Sequence, residues 1–173
     1  MINSTSVTLV SGPTTLATPA GVRRVDVESA AQMHDAMLAA FEDADVAICS
    51  AAVADYTPAA PADHKLKKSR EHLDAIQLTE TADILADLCA AKGSRIVVGF
   101  AAETDDLLAH AREKLARKGA DLIVANDVSR PESTFGADTN RVALVSAEGV
   151  EQLETMPLVD VADAILDWIA RRA

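Results

Sequence analysis

Short apolar runs alternate with amphipathic stretches along this chain, and their spacing predicts strands and helices in turn. Val7–Val10 reads as a buried strand ended by Ser11-Gly12-Pro13, and Arg24–Val27 offers a second, shorter strand. Ser29 is placed to N-cap a helix carrying Met33, Met37, Leu38 and Phe41 on one side. Val46–Cys49 is the next apolar run. The small residues Ser50, Ala51 and Ala52 follow it, as at a strand end where backbone must approach a ligand closely. Ala75–Thr79 reads as a short extended piece before a helix from about Ala82 to Ala91, with Thr81 or Asp83 at its start and Gly93 past its end.

The alternation continues in the second half. Ile96-Val97-Val98 is a continuous apolar run of the kind that parallel sheets bury on both faces, and Gly99-Phe100 follows it. Thr104 is placed to cap a helix with Asp105 and Asp106 in its first turn. Arg112, Lys114, Arg117 and Lys118 lie towards its end and Gly119 just past it, a charge order that suits the helix dipole. Leu122-Ile123-Val124 forms another buried strand running into Ala125-Asn126-Asp127. A polar loop through Pro131, Gly136 and Asn140 leads to Val142–Val145, a turn at Glu148-Gly149 and a return strand near Gln152–Met156. A last amphipathic helix, Val159–Arg171, carries Val161, Ile165, Trp168 and Ile169. This order predicts an α/β fold: a Rossmann-like, doubly wound, mainly parallel sheet with a small C-terminal antiparallel extension. No internal repeat or linker divides the chain, so residues 1–173 are expected to form a single domain.

Composition narrows the function classes. With 49% hydrophobic residues but only 3% aromatic ones, the core must be built from Ala, Val, Leu and Ile. A formal net charge of -11 argues against general nucleic-acid binding, which needs a basic footprint. No run approaches the roughly 20 apolar residues of a membrane span, and Met1–Ser6 lacks the basic and apolar regions of a signal peptide. Cys49 and Cys89 show neither CxxC nor zinc spacing and are expected to be free core thiols in a reducing cytoplasm. His34, His64, His72 and His110 have no mutual ligand spacing, so no metal site made by the protein is identified.

Against this acidic background, the segment His64–Arg70, HKLKKSR, holds four Lys or Arg and no acid. A cationic loop after a strand end points to an anionic ligand. Folds of this class bind ligands at the carboxyl ends of their strands. Four such exits carry small or polar residues here: Ser11-Gly12, Ser50-Ala51, Gly99-Phe100 and Asn126-Asp127. No GxGxxG occurs, which argues against a nicotinamide-dependent oxidoreductase on the same architecture.

Taken in order, Val7–Pro13 (VTLVSGP), Ala51–Tyr56 (AAVADY), Lys65–Lys68 (KLKK), Val98–Thr104 (VGFAAET) and Ala125–Ser129 (ANDVS) resemble bacterial phosphopantothenoylcysteine synthetase, the CTP-dependent ligase of coenzyme A biosynthesis. The resemblance runs from about Val7 to the final helix. It implies a two-step reaction: the carboxylate of 4'-phosphopantothenate attacks the α-phosphate of CTP to give an acyl cytidylate and pyrophosphate, and cysteine then displaces CMP. It implies that Mg2+ accompanies the nucleotide and that the protein is a homodimer joined through its later region.

Residue by residue, the resemblance makes Lys65 the key catalytic lysine, on a mobile loop, contacting the nucleotide phosphate and the acyl cytidylate. It makes Asp55, Phe100, Lys114 and Lys118 nucleotide contacts, with Ser50 and Ala51 letting backbone approach the nucleotide. Ala82, Asp83, Ile84 and Leu85 correspond to a nucleotide-contacting turn in which the family commonly has Asn-Pro-Asp-Ile; Thr81-Ala82 stands here for Asn-Pro. The family usually opens with a strand, a Gly- and Thr-rich loop, a Ser-Ser-Gly-Lys stretch and a helix, where this chain has only Met1–Ser6. That strand would belong between Val7–Val10 and Val46–Cys49. Those two strands are therefore expected to pair with each other, to leave free edges, or to be filled from another chain, and the protein to be poorly stable or prone to associate. A cytidine-nucleotide-binding fragment without catalytic activity is the alternative reading.

Overall fold

The structure, a computed structural model, describes residues 6–67, 74–103, 105–128 and 136–172. The first part of the chain supplies strands β1 (Val7–Ser11) and β2 (Val22–Asp26), helix α1 (Ala30–Phe41), and strands β3 (Val46–Cys49), β4 (Tyr56–Pro58) and β5 (Leu78–Glu80). Helix α2 (Ile84–Ala91), strand β6 (Ile96–Glu103), helix α3 (Leu107–Lys118) and strand β7 (Leu122–Asp127) follow. Strands β8 (Thr139–Asn140), β9 (Val142–Ser146), β10 (Gly149–Gln152) and β11 (Met156–Pro157) precede the last helix, α4 (Leu158–Ala170). Met1–Met37 and Ala52–Ile84 form one compact unit; Leu38–Ala51 and Leu85–Ala173 form another.

The larger unit is built on a five-stranded sheet in the order β10-β9-β7-β6-β3. Strands β3, β6 and β7 are parallel, and β9 and β10 continue the sheet antiparallel. The apolar runs of β6, β7 and β9 are buried on both faces, which is why they read as continuous rather than alternating. Val98, Leu122, Val124, Val142 and Leu144 face α4, which packs Val161, Ile165, Trp168 and Ile169 against them. On the opposite face Ile123 and the α2 residue Leu85 close over Gly99. Burying each large aliphatic side chain contributes about 1.5–3 kcal/mol, so this two-sided core accounts for most of the unit's cohesion.

Polar braces fix the strand entries. Asp121 accepts a hydrogen bond from the β6 amide of Val97 at 2.8 Å and pairs with the Lys92 ammonium at 2.7 Å. The Arg95 guanidinium bonds the carbonyls of Phe41 and Ala91 and stacks 3.9 Å from the Phe41 ring centroid. Gly119 ends α3 in the left-handed region at φ 73, its amide bonded to Leu115, as its position in the sequence predicts.

In the smaller unit β1 and β2 form a two-stranded parallel sheet, extended by the bond from the Val27 amide to the Ser11 carbonyl. Arg24 ties the intervening loop down by bonding the Leu16 carbonyl at 2.9 Å and Asp26 at 2.6 Å. Helix α1 starts where Ser29 predicts: the Ser29 hydroxyl accepts from the Gln32 amide, and the Gln32 side chain accepts from the amides of Glu28 and Ser29. β4 and β5 form a short antiparallel ribbon.

Several boundaries depart from the sequence expectations. β4 falls in a stretch read as loop, because prolines and alanines mask the strand signal of Tyr56-Thr57. The return strand after β9 is β10, Gly149–Gln152; Met156 belongs instead to β11, which pairs with β8. Helix α3 starts after Asp105 and Asp106 rather than including them, with Asp106 as N-cap in the left-handed region at φ 45, ψ 38; Thr104, the expected cap, lies outside the described residues. Among the described residues the five-stranded sheet has β3 as its last strand on one side, and β1 pairs with β2 rather than with β3.

Candidate functional site

Because β3, β6 and β7 run parallel in one sheet, their carboxyl ends lie along one sheet edge. Ser50 and Ala51 follow β3 there and are exposed, while Asn126 and Asp127 end β7. Between them Gly99 and Phe100 occupy β6. A Cβ on Gly99 would stand 2.6 Å from Leu85 Cδ2 and 3.0 Å from Ile123 Cδ1, so the close approach of α2 to the sheet needs glycine here. Lys114, half-buried on α3, donates its ammonium to the Phe100 carbonyl at 2.8 Å. Lys118, also half-buried, follows one turn later on the same helix side. The structure thus brings Lys114 to Phe100, but Gly99 and Phe100 lie inside β6 rather than at its exit, because the strand continues through Ala101–Glu103, and Phe100 packs against the core; Ser50 and Ala51 lie just past the end of β3.

Cys49 pairs in register with Gly99. Burial pushes its thiol up to about 11; Cys89 adds to the rise and Lys114 opposes it. Burial likewise raises the Cys89 thiol, with Lys92 opposing and Asp121 adding. Both thiols stay protonated at neutral pH and fill space rather than act as nucleophiles, as expected for free core cysteines.

The remaining candidates, Leu85 apart, fall in the smaller unit. Asp55 and Lys65 are exposed, and His64, next to Lys65, pairs with Asp63 at 2.7 Å. Lys67 is exposed; Lys68, Ser69 and Arg70, the rest of the basic run, lie outside the described residues. Ala82 and Asp83 are exposed ahead of α2, whereas Ile84 is buried. Leu85, in the larger unit, is buried against Gly99, so its side chain belongs to the core.

Thr81 does not cap α2, which starts three residues later. Its hydroxyl donates instead to the Ala54 carbonyl at 2.7 Å, and its amide to the Asp55 carbonyl at 2.9 Å. Sequence reasoning missed this role; the pairing of Tyr56 with Glu80, which sets Thr81 opposite Asp55, is invisible without the β4–β5 register. Among the described residues no group of three or more His, Cys, Asp or Glu could hold a metal ion, and no helix is long and apolar enough to cross a membrane.

The family profile of the DNA/pantothenate metabolism flavoprotein C-terminal domain matches residues 2–172. The coenzyme A biosynthesis bifunctional protein CoaBC of Bacillus subtilis (strain 168) is 45% identical over 166 residues, 95% of this chain and 41% of that protein. The chain therefore spans about two fifths of the length of this relative. The crystal structure of the C-terminal domain of a coenzyme A biosynthesis bifunctional protein CoaBC superposes with a TM-score of 0.76 at 37% identity, covering 95% of this chain and 72% of that one. A Cab2 variant solved in complex with phosphopantothenate-cysteine shares the fold, with a TM-score of 0.64 at 18% identity over 87% of this chain and 55% of that one.

Proposed function

The chain belongs to the DNA/pantothenate metabolism flavoprotein C-terminal domain family, and from that premise we propose that it acts as one phosphopantothenoylcysteine synthetase domain, a CTP-dependent ligase of coenzyme A biosynthesis. The observation that carries the reading is the parallel alignment of β3, β6 and β7, with the small residues Ser50 and Ala51 exposed just past β3 and the Lys114 ammonium bonded to the Phe100 carbonyl of β6.

The chemistry demands cations. A carboxylate oxygen of 4'-phosphopantothenate attacks the α-phosphorus of CTP, the bond to pyrophosphate breaks, and the cysteine amine then attacks the acyl carbon, expelling CMP and losing a proton. Both reactants of the first step are anions, and negative charge gathers in its transition state. A lysine about 4 Å from a phosphate oxygen is worth roughly 1 kcal/mol in water and about 4 kcal/mol at an effective dielectric near 20, so a basic loop that excludes water gains most of its effect on closing. Lys65 takes that role, with Lys114 and Lys118 on the nucleotide phosphates, Asp55 and Phe100 on the nucleoside, and Ser50, Ala51 and the Ala82-Asp83-Ile84-Leu85 turn offering backbone. Mg2+ characteristically binds through one or two carboxylates together with substrate phosphates, so the ion travels on the triphosphate. The protein is a homodimer acting in the cytoplasm.

Pyrophosphate release with CTP, 4'-phosphopantothenate and Mg2+, measured on this chain and on Lys65→Gln, tests the reading. Release by the parent chain that the substitution abolishes supports it. CTP binding without release from either protein points to the alternative, a cytidine-nucleotide-binding fragment. Neither binding nor release would refute both.

A further inference from the structure

We infer that Thr81 is a positioning residue of the nucleotide site, its side chain stitching the segment that carries Asp55 to the turn that starts α2. The inference rests on the nucleotide role proposed for those two stretches. The β4–β5 ladder pairs Tyr56 with Glu80 and ends there. Beyond it the Thr81 amide takes the Asp55 carbonyl at 2.9 Å, and the hydroxyl then takes the Ala54 carbonyl at 2.7 Å. A side chain thus prolongs the ladder by one residue past its last backbone bond, at the point where the chain leaves the β3 exit and bears Asp55. The residues that follow Thr81 at once, Ala82 and Asp83, open the turn into α2.

Two hydrogen bonds from one residue therefore set the spacing between Asp55 and the Ala82-Asp83 backbone. Ala54, Asp55, Ala82 and Asp83 are all exposed, so burial of these side chains in a core does not hold that spacing. A turn held by hydrogen bonds rather than by a core loses its geometry when one donor is removed, while the fold around it survives.

The test compares Thr81→Val, which keeps the shape and removes the hydroxyl, with Thr81→Ser, which keeps the hydroxyl, by CTP titration and steady-state kinetics with thermal melts alongside. The expected result is a KM and Kd for CTP raised roughly three- to tenfold in Thr81→Val, restored in Thr81→Ser, with the KM for cysteine unchanged. Equal CTP affinity in all three proteins would overturn the inference while leaving the ligase reading intact. A lowered melting temperature with unchanged CTP affinity would also overturn it, since it would mark a purely structural bond. A parent protein that binds no CTP would sink the ligase reading itself, and this inference with it.

Discussion

The ammonium of Lys114 on α3 donates to the main-chain carbonyl of Phe100 on β6 over 2.8 Å, so the helix that follows the strand reaches back over that strand's middle. An ammonium has three donors, and one bond to a carbonyl leaves two for an incoming phosphate. Lys114→Met retains the apolar stem and removes the charge. The expected loss is about 1–4 kcal/mol of CTP binding, read as a rise of roughly fivefold or more in the KM for CTP, with little change in melting temperature.

Gly99 is a point of close approach between α2 and the sheet. Gly99→Ala places a methyl group against Leu85 and Ile123, whose side-chain ends must shift, and is expected to cost about 1 kcal/mol. Gly99→Val adds branches that those buried neighbours have no room to accept, and about 3 kcal/mol is expected. Urea unfolding of the two variants, followed by circular dichroism, distinguishes this graded response from an equal cost for both.

Asp121 holds two donors at once, the Val97 amide and the Lys92 ammonium. Asp121→Ala leaves that amide without its carboxylate acceptor at the entry to β6 and is expected to destabilise the protein by about 1–3 kcal/mol. Lys92→Met removes the charged partner together with its bond to the Gly119 carbonyl at 2.7 Å, and should still cost less, because the pair is partly exposed to solvent. The ordering of the two denaturation midpoints is the measurement.

The thiol of Cys49 gives the protein an alkaline limit. Its folded-state pKa of about 11 lies above the ordinary value of 9.0, so the folded state binds the proton more tightly than the unfolded chain does. The corresponding stability is present in full below about pH 9 and is lost as pH rises towards 11, a change on the order of 2 kcal/mol. Stability followed from pH 8 to 11 should fall less steeply in Cys49→Ala than in the parent. The parent thiol should react slowly with iodoacetamide at pH 7.5.

Much of the larger unit was legible because its strands obey one rule. Val97-Val98, Leu122–Val124 and Val142–Val145 are buried on both faces, so their apolar runs announce them without any knowledge of partners. Gly119 and Ser29 were legible for a related reason, since each cap depends on the few residues around it. What escaped was decided by partners distant in sequence. β4 is a strand because Leu78–Glu80 lies beside it, and Thr81 bonds Ala54 because that register brings it there, 27 residues on. The site divides in the same way. Motifs name Phe100 and Lys114 separately, but only the turn of α3 shows that one holds the other.

Among the described residues Val46–Cys49 is the last strand on one side of the five-stranded sheet, without a lysine, a glutamate or a proline of its own, and Ile48 is 40% exposed upon it. Natural sheets usually guard such a border with charge or a kink. Left uncovered, such a border acts as a template, so the first sign of trouble in a concentrated solution should be turbidity seeded strand upon strand while the core is still intact. A single lysine in place of Ile48 would be the economical remedy.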